Sequence, residues 1–103
     1  MIIYAMSIPS WFAEGVYKIG EAEDEDELKN RKRTMQTYHR ETVQVYAFWD
    51  IGDITKNADK RLHTIFEDNR EGHGGTELFK DVDLDELDKA VRLVFGPRTI
   101  RRK

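Results

Sequence analysis

Two short segments near the N-terminus constrain the fold most, because they are rich in the residue types that favour strands. Residues 2–6 are wholly apolar, and residues 15–22 combine β-branched and aromatic side chains with two glycines. Residues 9–14, which begin with a proline, separate the two segments and are predicted to form a connection. The chain is therefore expected to start with a β-hairpin.

A helix is predicted to follow the hairpin, with its N-terminus near Asp24. The acidic stretch 21–27 leads into this helix, and acids at the start of a helix complement the helix dipole. Leu28 and Met35 then recur at helical spacing, on the same side as Arg31. An arginine on the core-facing edge of a helix needs an anion or an exposed rim of the core, and a phosphate group would satisfy it.

The stretch 42–51 is the strongest predicted strand. Its apolar and aromatic residues fall on alternating positions, with Val43, Val45, Ala47 and Trp49 expected on one face. Because aromatic residues also occupy the intervening positions, we expect both faces to be covered. This strand is therefore predicted to be the central one.

The second half of the chain predicts two further helices. The first starts at Ile54, repeats apolar residues to Phe66, and ends before the glycine cluster at 72–75. A brief extended segment is predicted at 78–79. Asp83 and Glu86 then form a capping-box pattern for a third helix, which Gly96 and the following proline end. The expected fold is α+β, with a small three-stranded antiparallel sheet covered by about three helices. Residues 1–96 form the predicted domain, and 97–103 a basic tail.

Composition excludes several classes of protein. The 103 residues include no cysteine, which excludes disulfides, thiolate metal sites and cysteine nucleophiles. No apolar stretch approaches the roughly 20 residues that span a bilayer, and no signal sequence is apparent, so a cytoplasmic protein without a membrane partner is expected. The net charge is −3, but residues 28–40 carry five Lys or Arg and no acid, and residues 97–103 carry four. Such basic clusters favour binding to a phosphate backbone.

A tyrosine and four motifs occur in order along the chain. They are Tyr4 in the first strand, Lys-Ile-Gly at 18–20, Arg-Lys-Arg-Thr-Met-Gln-Thr at 31–37, and Asp-Lys-Arg-Leu-His-Thr-Ile-Phe at 59–66, followed by Gly-Thr-Glu-Leu-Phe at 75–79. Together they resemble the GIY-YIG endonuclease superfamily, in the branch, frequent in phage and bacterial proteins, whose second motif reads Lys-Ile-Gly.

The resemblance implies a DNA endonuclease that uses Mg²⁺ or Mn²⁺. Tyr4 would activate or orient the attacking water, Arg31 would stabilise charge on the phosphate, and Asp59, in place of the family glutamate, would bind the metal. The accessory residues would be Lys18, His63 and Glu77, and the residues positioning the DNA backbone Lys29, Arg33 and Arg40. The superfamily often works beside a separate DNA-binding region, so a homodimer or a longer parent chain is implied.

The same residues allow simpler interpretations. Tyr4 could be a sheet residue that packs on a helix. Arg31 could pair with Asp24 or Glu27 on the preceding turn, and Asp59 could be an ordinary first-turn acid. The alternative function is a catalytically weak or inactive module that binds nucleic acid or a host protein. The nuclease hypothesis requires Tyr4, Arg31 and Asp59 to converge on one groove.

Overall fold

The computed structural model describes residues 1–52, 59–70, 78–96 and 100–102. Its strands pair into one antiparallel sheet in the order β4-β2-β1-β3-β5. The strand bounds are β1 Ile2–Ser7, β2 Tyr17–Ala22, β3 Gln44–Asp50, β4 Leu78–Phe79 and β5 Ile100–Arg102. The described helices are α1 Pro9–Phe12, α2 Glu25–Gln36, α3 Asp59–Ile65 and α4 Leu84–Phe95, with a 3₁₀ turn at Glu67–Asn69.

The architecture confirms an α+β domain, and it corrects the expected number of elements. The described ranges contain five strands rather than three, because short edge strands β4 and β5 extend the sheet on both sides. They contain four α-helices rather than about three, because the predicted connection at 9–14 includes the short helix α1. Strand β5 comes from the predicted basic tail. The residues around the expected second-helix start at Ile54 lie outside the described ranges.

The central strand is β1, and the prediction that 42–51 is central was wrong. All six residues of β1 are buried, since helices cover both of its faces and β2 and β3 flank it. Strand β3 lies one position further out, between β1 and β5, and both its end residues are exposed. A run that is apolar on both faces is typical of a strand covered on both sides.

A register shift in β3 corrects the predicted alternation of its side chains. Ala5 of β1 pairs with Ala47, whereas the next residue, Met6, pairs with Val45, so Tyr46 is the extra residue. Two residues opposite one is the pattern of a β-bulge. Val45 consequently packs on one face of the sheet, while Tyr46 and Ala47 both pack on the other.

Two hydrophobic cores lie on opposite faces of the sheet. The first, which we call the α2-side core, contains Ile2, Tyr4, Met6, Ile8, Ala22, Leu28, Met35 and Val43. The second, the α4-side core, joins the sheet to α3 and α4 through Ile3, Ala5, Tyr17, Ile19, Ala47, Trp49, Ile51, Leu62, Phe66, Phe79, Val82, Leu87, Ala90 and Val91. The sheet therefore separates the side chains that pack on α2 from those that pack on α3.

The predicted helix starts at Asp24 and Asp83 are confirmed. The Asp24 carboxylate accepts a hydrogen bond of 2.8 Å from the Glu27 backbone N–H, and Asp83 accepts one of 2.7 Å from the N–H of Asp85. Each cap satisfies a backbone donor that the helix itself cannot. Helix α4 ends at Phe95, where Gly96 adopts a positive φ of 98°. Among the described residues, no helix combines the length and apolar character needed to cross a membrane.

Candidate functional site

Strand β2 carries the Lys-Ile-Gly motif and borders the elements that carry Tyr4, Arg31 and Asp59. Helix α2 packs against β2 and β1, and helix α3 packs against β2. Lys18 lies in β2 between Met6 of β1 and Leu78 of β4, and is half-buried. The helices bearing Arg31 and Asp59 therefore both border the strand of the Lys-Ile-Gly motif.

His63 connects α3 directly to that motif. Its Nε2 atom lies 2.9 Å from the carbonyl oxygen of Ile19, and only 8 % of the residue is exposed. Its ring packs on Phe79 of β4, with the ring centroids 4.9 Å apart. Asp59 is the first residue of α3, four residues before His63, which is about one helical turn. This hydrogen bond holds the last turn of α3 beside β2.

Tyr4 lies inside the α2-side core. The residue is 1 % exposed and sits opposite Gly20 of β2 and Phe48 of β3. Lys18 is two residues before Gly20 on the same face of β2, because side chains alternate along a strand. Tyr17 packs in the α4-side core, so it faces away from Tyr4.

Arg31 lies at the solvent margin of α2. One of its terminal nitrogens is 3.2 Å from Oε1 of Glu27, one turn earlier, and the two side chains are 49 % and 33 % exposed. This ion pair is the simpler interpretation considered for Arg31. Exposed pairs of this spacing contribute about 0.3–0.5 kcal/mol, so the pair would exchange readily for a phosphate. Leu28 and Met35 on the same helix are buried, which confirms that they anchor α2.

The described residues bring together part of the predicted constellation. Tyr4, Lys18 and the helix of Arg31 lie on the α2 side of the sheet, whereas His63 and the anchoring residue Leu62 of α3 lie on the other side. The backbone of Asp59 is described, but its side chain lies outside the described part, as does all of Glu77. Convergence of the three proposed catalytic groups therefore remains a prediction.

The predicted backbone-binding residues are all on the surface. Lys29, Arg33 and Arg40 are exposed, and so is Lys32. Arg33 donates a hydrogen bond of 3.2 Å to the Asn30 side chain, a contact within the helix. Lys29, Lys32 and Arg33, which we call the basic face of α2, follow the acidic first turn of that helix. Their exposure leaves them able to contact a phosphate backbone.

One open depression in the surface is lined by none of the predicted site residues. Its lining residues are Phe12, Gly15, Tyr17, Asp81, Val82, Asp83 and Leu84. Within the described ranges, no three His, Asp or Glu side chains are grouped so that they could hold a metal ion. The candidate site thus rests on the surroundings of β2 rather than on this depression.

The sequence reasoning missed the turn that follows α2. Gln36 donates hydrogen bonds to the carbonyls of His39 and Glu41 and accepts one from the Val43 N–H, at 3.1, 2.9 and 2.8 Å. Tyr38 in this turn is 81 % exposed. The sequence does place Tyr38 between basic residues, in the stretch 28–40 that contains no acid.

Comparison with known proteins found no matching family model, no matching curated protein and no matching solved structure.

Proposed function

We propose that this chain is a divalent-metal-dependent endonuclease that hydrolyses DNA phosphodiester bonds at a site beside β2. The proposal rests on the GIY-YIG-like motifs and on one structural observation, the hydrogen bond between His63 and the Ile19 carbonyl. That contact joins the Leu-His motif of α3 to the Lys-Ile-Gly motif of β2. Two motifs that are distant in sequence are thereby neighbours in space, with His63 and the Lys18 side chain on opposite faces of the sheet at β2.

The donor chemistry suits Mg²⁺ or Mn²⁺. A magnesium ion keeps several waters and is commonly held by one or two carboxylates together with substrate phosphate oxygens. Asp59 would supply such a carboxylate from the first residue of α3. When bound, the metal would polarise the phosphate and favour departure of the leaving oxygen.

The remaining roles fall to side chains around β2 and α2. Arg31 would exchange Glu27 for the phosphate and stabilise the negative charge that develops during hydrolysis. Lys18 would help to hold the same phosphate, and Lys29, Arg33 and Arg40 would hold neighbouring phosphates of the strand. Because Tyr4 is 1 % exposed, we assign it a positioning role, in which its ring supports the hairpin beneath Lys18.

The burial of Tyr4 also favours a second candidate function. A tyrosine packed in the α2-side core behaves as a structural residue, so a module with weak or no activity would retain it for stability. Such a module would bind nucleic acid through the basic face of α2. It would bind without metal and with an affinity that falls as salt increases.

Cleavage of supercoiled plasmid in the presence of Mg²⁺ tests the proposed function. We expect the wild-type protein to nick the plasmid and Arg31→Ala to lower the rate on the order of a hundredfold, because a donor aimed at developing charge is removed. Asp59→Ala should also remove activity.

Arg92→Ala is the matched control for Arg31→Ala. Arg92 forms an ion pair of the same spacing with Asp88 at 3.2 Å, and its side chain is 46 % exposed, but it lies on α4. We expect this variant to nick at the wild-type rate. Equal activity of the Arg31 and Arg92 variants, or plasmid left intact by the wild-type protein with Mg²⁺ and with Mn²⁺, would contradict the nuclease proposal.

A further inference from the structure

An aromatic side chain projects into solvent where α2 ends. Tyr38 is 81 % exposed, although it follows the buried Met35 by only three residues. An exposed aromatic ring offers a large apolar face at little cost in side-chain entropy, and it is the type of group on which nucleic-acid bases stack.

The backbone that carries this ring is held in place by several contacts. The Gln36 side chain makes three hydrogen bonds across the turn, to His39, Glu41 and Val43. The His39 ring also meets Trp11 edge-on, with ring centroids 4.8 Å apart. Tyr38 is therefore presented from a fixed turn rather than from an unanchored loop, which lowers the cost of ordering it when a ligand binds.

The sequence on both sides of Tyr38 is basic. Residues 28–40 contain no acid, and Lys32, Arg33 and Arg40 on either side of Tyr38 in sequence are exposed. The first acid that follows is Glu41, whose carboxylate accepts hydrogen bonds from the backbone N–H and the hydroxyl of Ser10 in α1. Glu41 is therefore engaged by α1. A ring between cations is the combination that single-stranded nucleic acid requires, since phosphates meet the cations while a base covers the ring.

We infer that Tyr38 is a stacking platform for an unpaired base, and that the protein takes single-stranded nucleic acid or a single-stranded region in preference to a continuous duplex. In a duplex the base faces are stacked on each other and are not available to such a ring, whereas an unpaired base has a free face. This inference deepens the proposed function by naming the substrate class. It rests on the proposed function in one respect, which is that the protein binds nucleic acid.

Binding measured without metal tests the platform separately from cleavage. Fluorescence anisotropy would follow a labelled oligothymidylate of about 12 nucleotides, and a duplex of the same length, in EDTA at low salt. We expect the wild-type protein to bind the single strand more tightly than the duplex. Tyr38→Ala should weaken single-strand binding on the order of tenfold, whereas Tyr38→Phe, which keeps the ring, should stay within about twofold of wild type.

The salt dependence separates stacking from phosphate contacts. Loss of a stacked ring releases no counterion, so Tyr38→Ala should leave the slope of log affinity against log salt unchanged. Arg33→Ala should instead reduce the magnitude of that slope by about 0.7, the value for one contact to a single strand. Leu93→Ala removes another exposed apolar side chain, 84 % accessible and on α4, and should bind as wild type does.

Several results would overturn the inference. They are wild-type affinity in Tyr38→Ala, a preference of the wild-type protein for duplex, and no binding to either probe. A change in oligomeric state of Tyr38→Ala by analytical ultracentrifugation would show instead that the ring contacts a second copy of the chain. Cleavage of DNA together with wild-type binding by Tyr38→Ala would contradict the stacking inference and support the proposed function. Binding that depends on Tyr38, without any cleavage, would support the stacking inference and contradict the proposed function.

Discussion

Asparagine in place of Asp59 should lower Mg²⁺-dependent nicking of plasmid on the order of a hundredfold or more. The carboxylate is the proposed metal ligand, and a polarising metal contributes several kcal/mol to stabilising the transition state, where each 1.36 kcal/mol corresponds to about tenfold in rate. An amide has nearly the shape of a carboxylate but no charge. The rate of conversion of supercoiled to nicked plasmid measures the effect.

Asp59→Glu makes the same prediction more specific. Glutamate occupies this position in the superfamily that the motifs resemble, and it is longer by one methylene group. We expect Asp59→Glu to nick faster than Asp59→Asn, because it keeps the charge that binds the metal, and more slowly than wild type, because the metal is displaced by about an ångström. Activity of Asp59→Glu no higher than that of Asp59→Asn would contradict a metal role for this carboxylate.

Asp85→Asn controls for the general effect of an acid in the first turn of a helix, since Asp85 is the second residue of α4. It removes a comparable favourable contact with the helix dipole without touching the proposed site. We expect it to nick as wild type does. Loss of activity in Asp85→Asn equal to that in Asp59→Asn, with both variants folded, would contradict a metal role for Asp59.

Trp49→Ala should lower the free energy of unfolding by about 3–5 kcal/mol, a large share of the 5–15 kcal/mol typical of a small domain. Trp49 is 0 % exposed in the α4-side core. Its indole N–H donates a hydrogen bond of 2.8 Å to Oδ1 of Asp88, so it joins β3 to α4. Urea unfolding followed by circular dichroism measures the change.

Two further variants test why Trp49 matters. Trp49→Phe keeps an aromatic ring but loses the N–H, so we expect a smaller loss, about 1–3 kcal/mol. Leu93→Ala, at an exposed position of α4, should change stability by no more than about 0.5 kcal/mol. A Trp49→Ala protein as stable as the Leu93 variant would show that the α4-side core does not depend on this contact.

Local patterns predicted the elements whose signals lie within a few residues. The hairpin of β1 and β2, the caps at Asp24 and Asp83, and the short strand at Leu78–Phe79 were all predicted and are confirmed. A capping carboxylate marks each of these helix starts, and β-branched or aromatic residues mark the strands.

Features that depend on distant contacts escaped prediction. The central position of β1 follows from its pairing with β3, whose partner residues lie 37 to 48 positions further along the chain, and from the helices on both faces of the sheet. The bulge at Tyr46 changes which side chains of β3 share a face, and one extra residue leaves no clear mark in the sequence. Strand β5 is largely basic, so only its pairing with β3 identifies it.

In the candidate site, too, local patterns predicted some features and distant contacts determined others. Alternation along a strand predicts that Tyr17 faces the opposite side of the sheet from its neighbour Lys18, and Tyr17 packs in the α4-side core. Spacing also placed His63 beside Asp59 on α3, but nothing in the sequence indicated that the imidazole would meet the carbonyl of Ile19. The burial of Tyr4 agrees with the simpler interpretation, in which it is a sheet residue that packs on a helix.

Paramagnetic broadening by Mn²⁺ in an NMR spectrum of the ¹⁵N-labelled protein tests the central claim most directly, since it locates a bound metal without requiring cleavage. We predict that Mn²⁺ broadens the amide signals of residues 19–21 in β2 and of the first turn of α3, and that Asp59→Asn removes this broadening. Broadening confined to the acidic first turns of α2 or α4, or unchanged by Asp59→Asn, would contradict a metal site between β2 and α3.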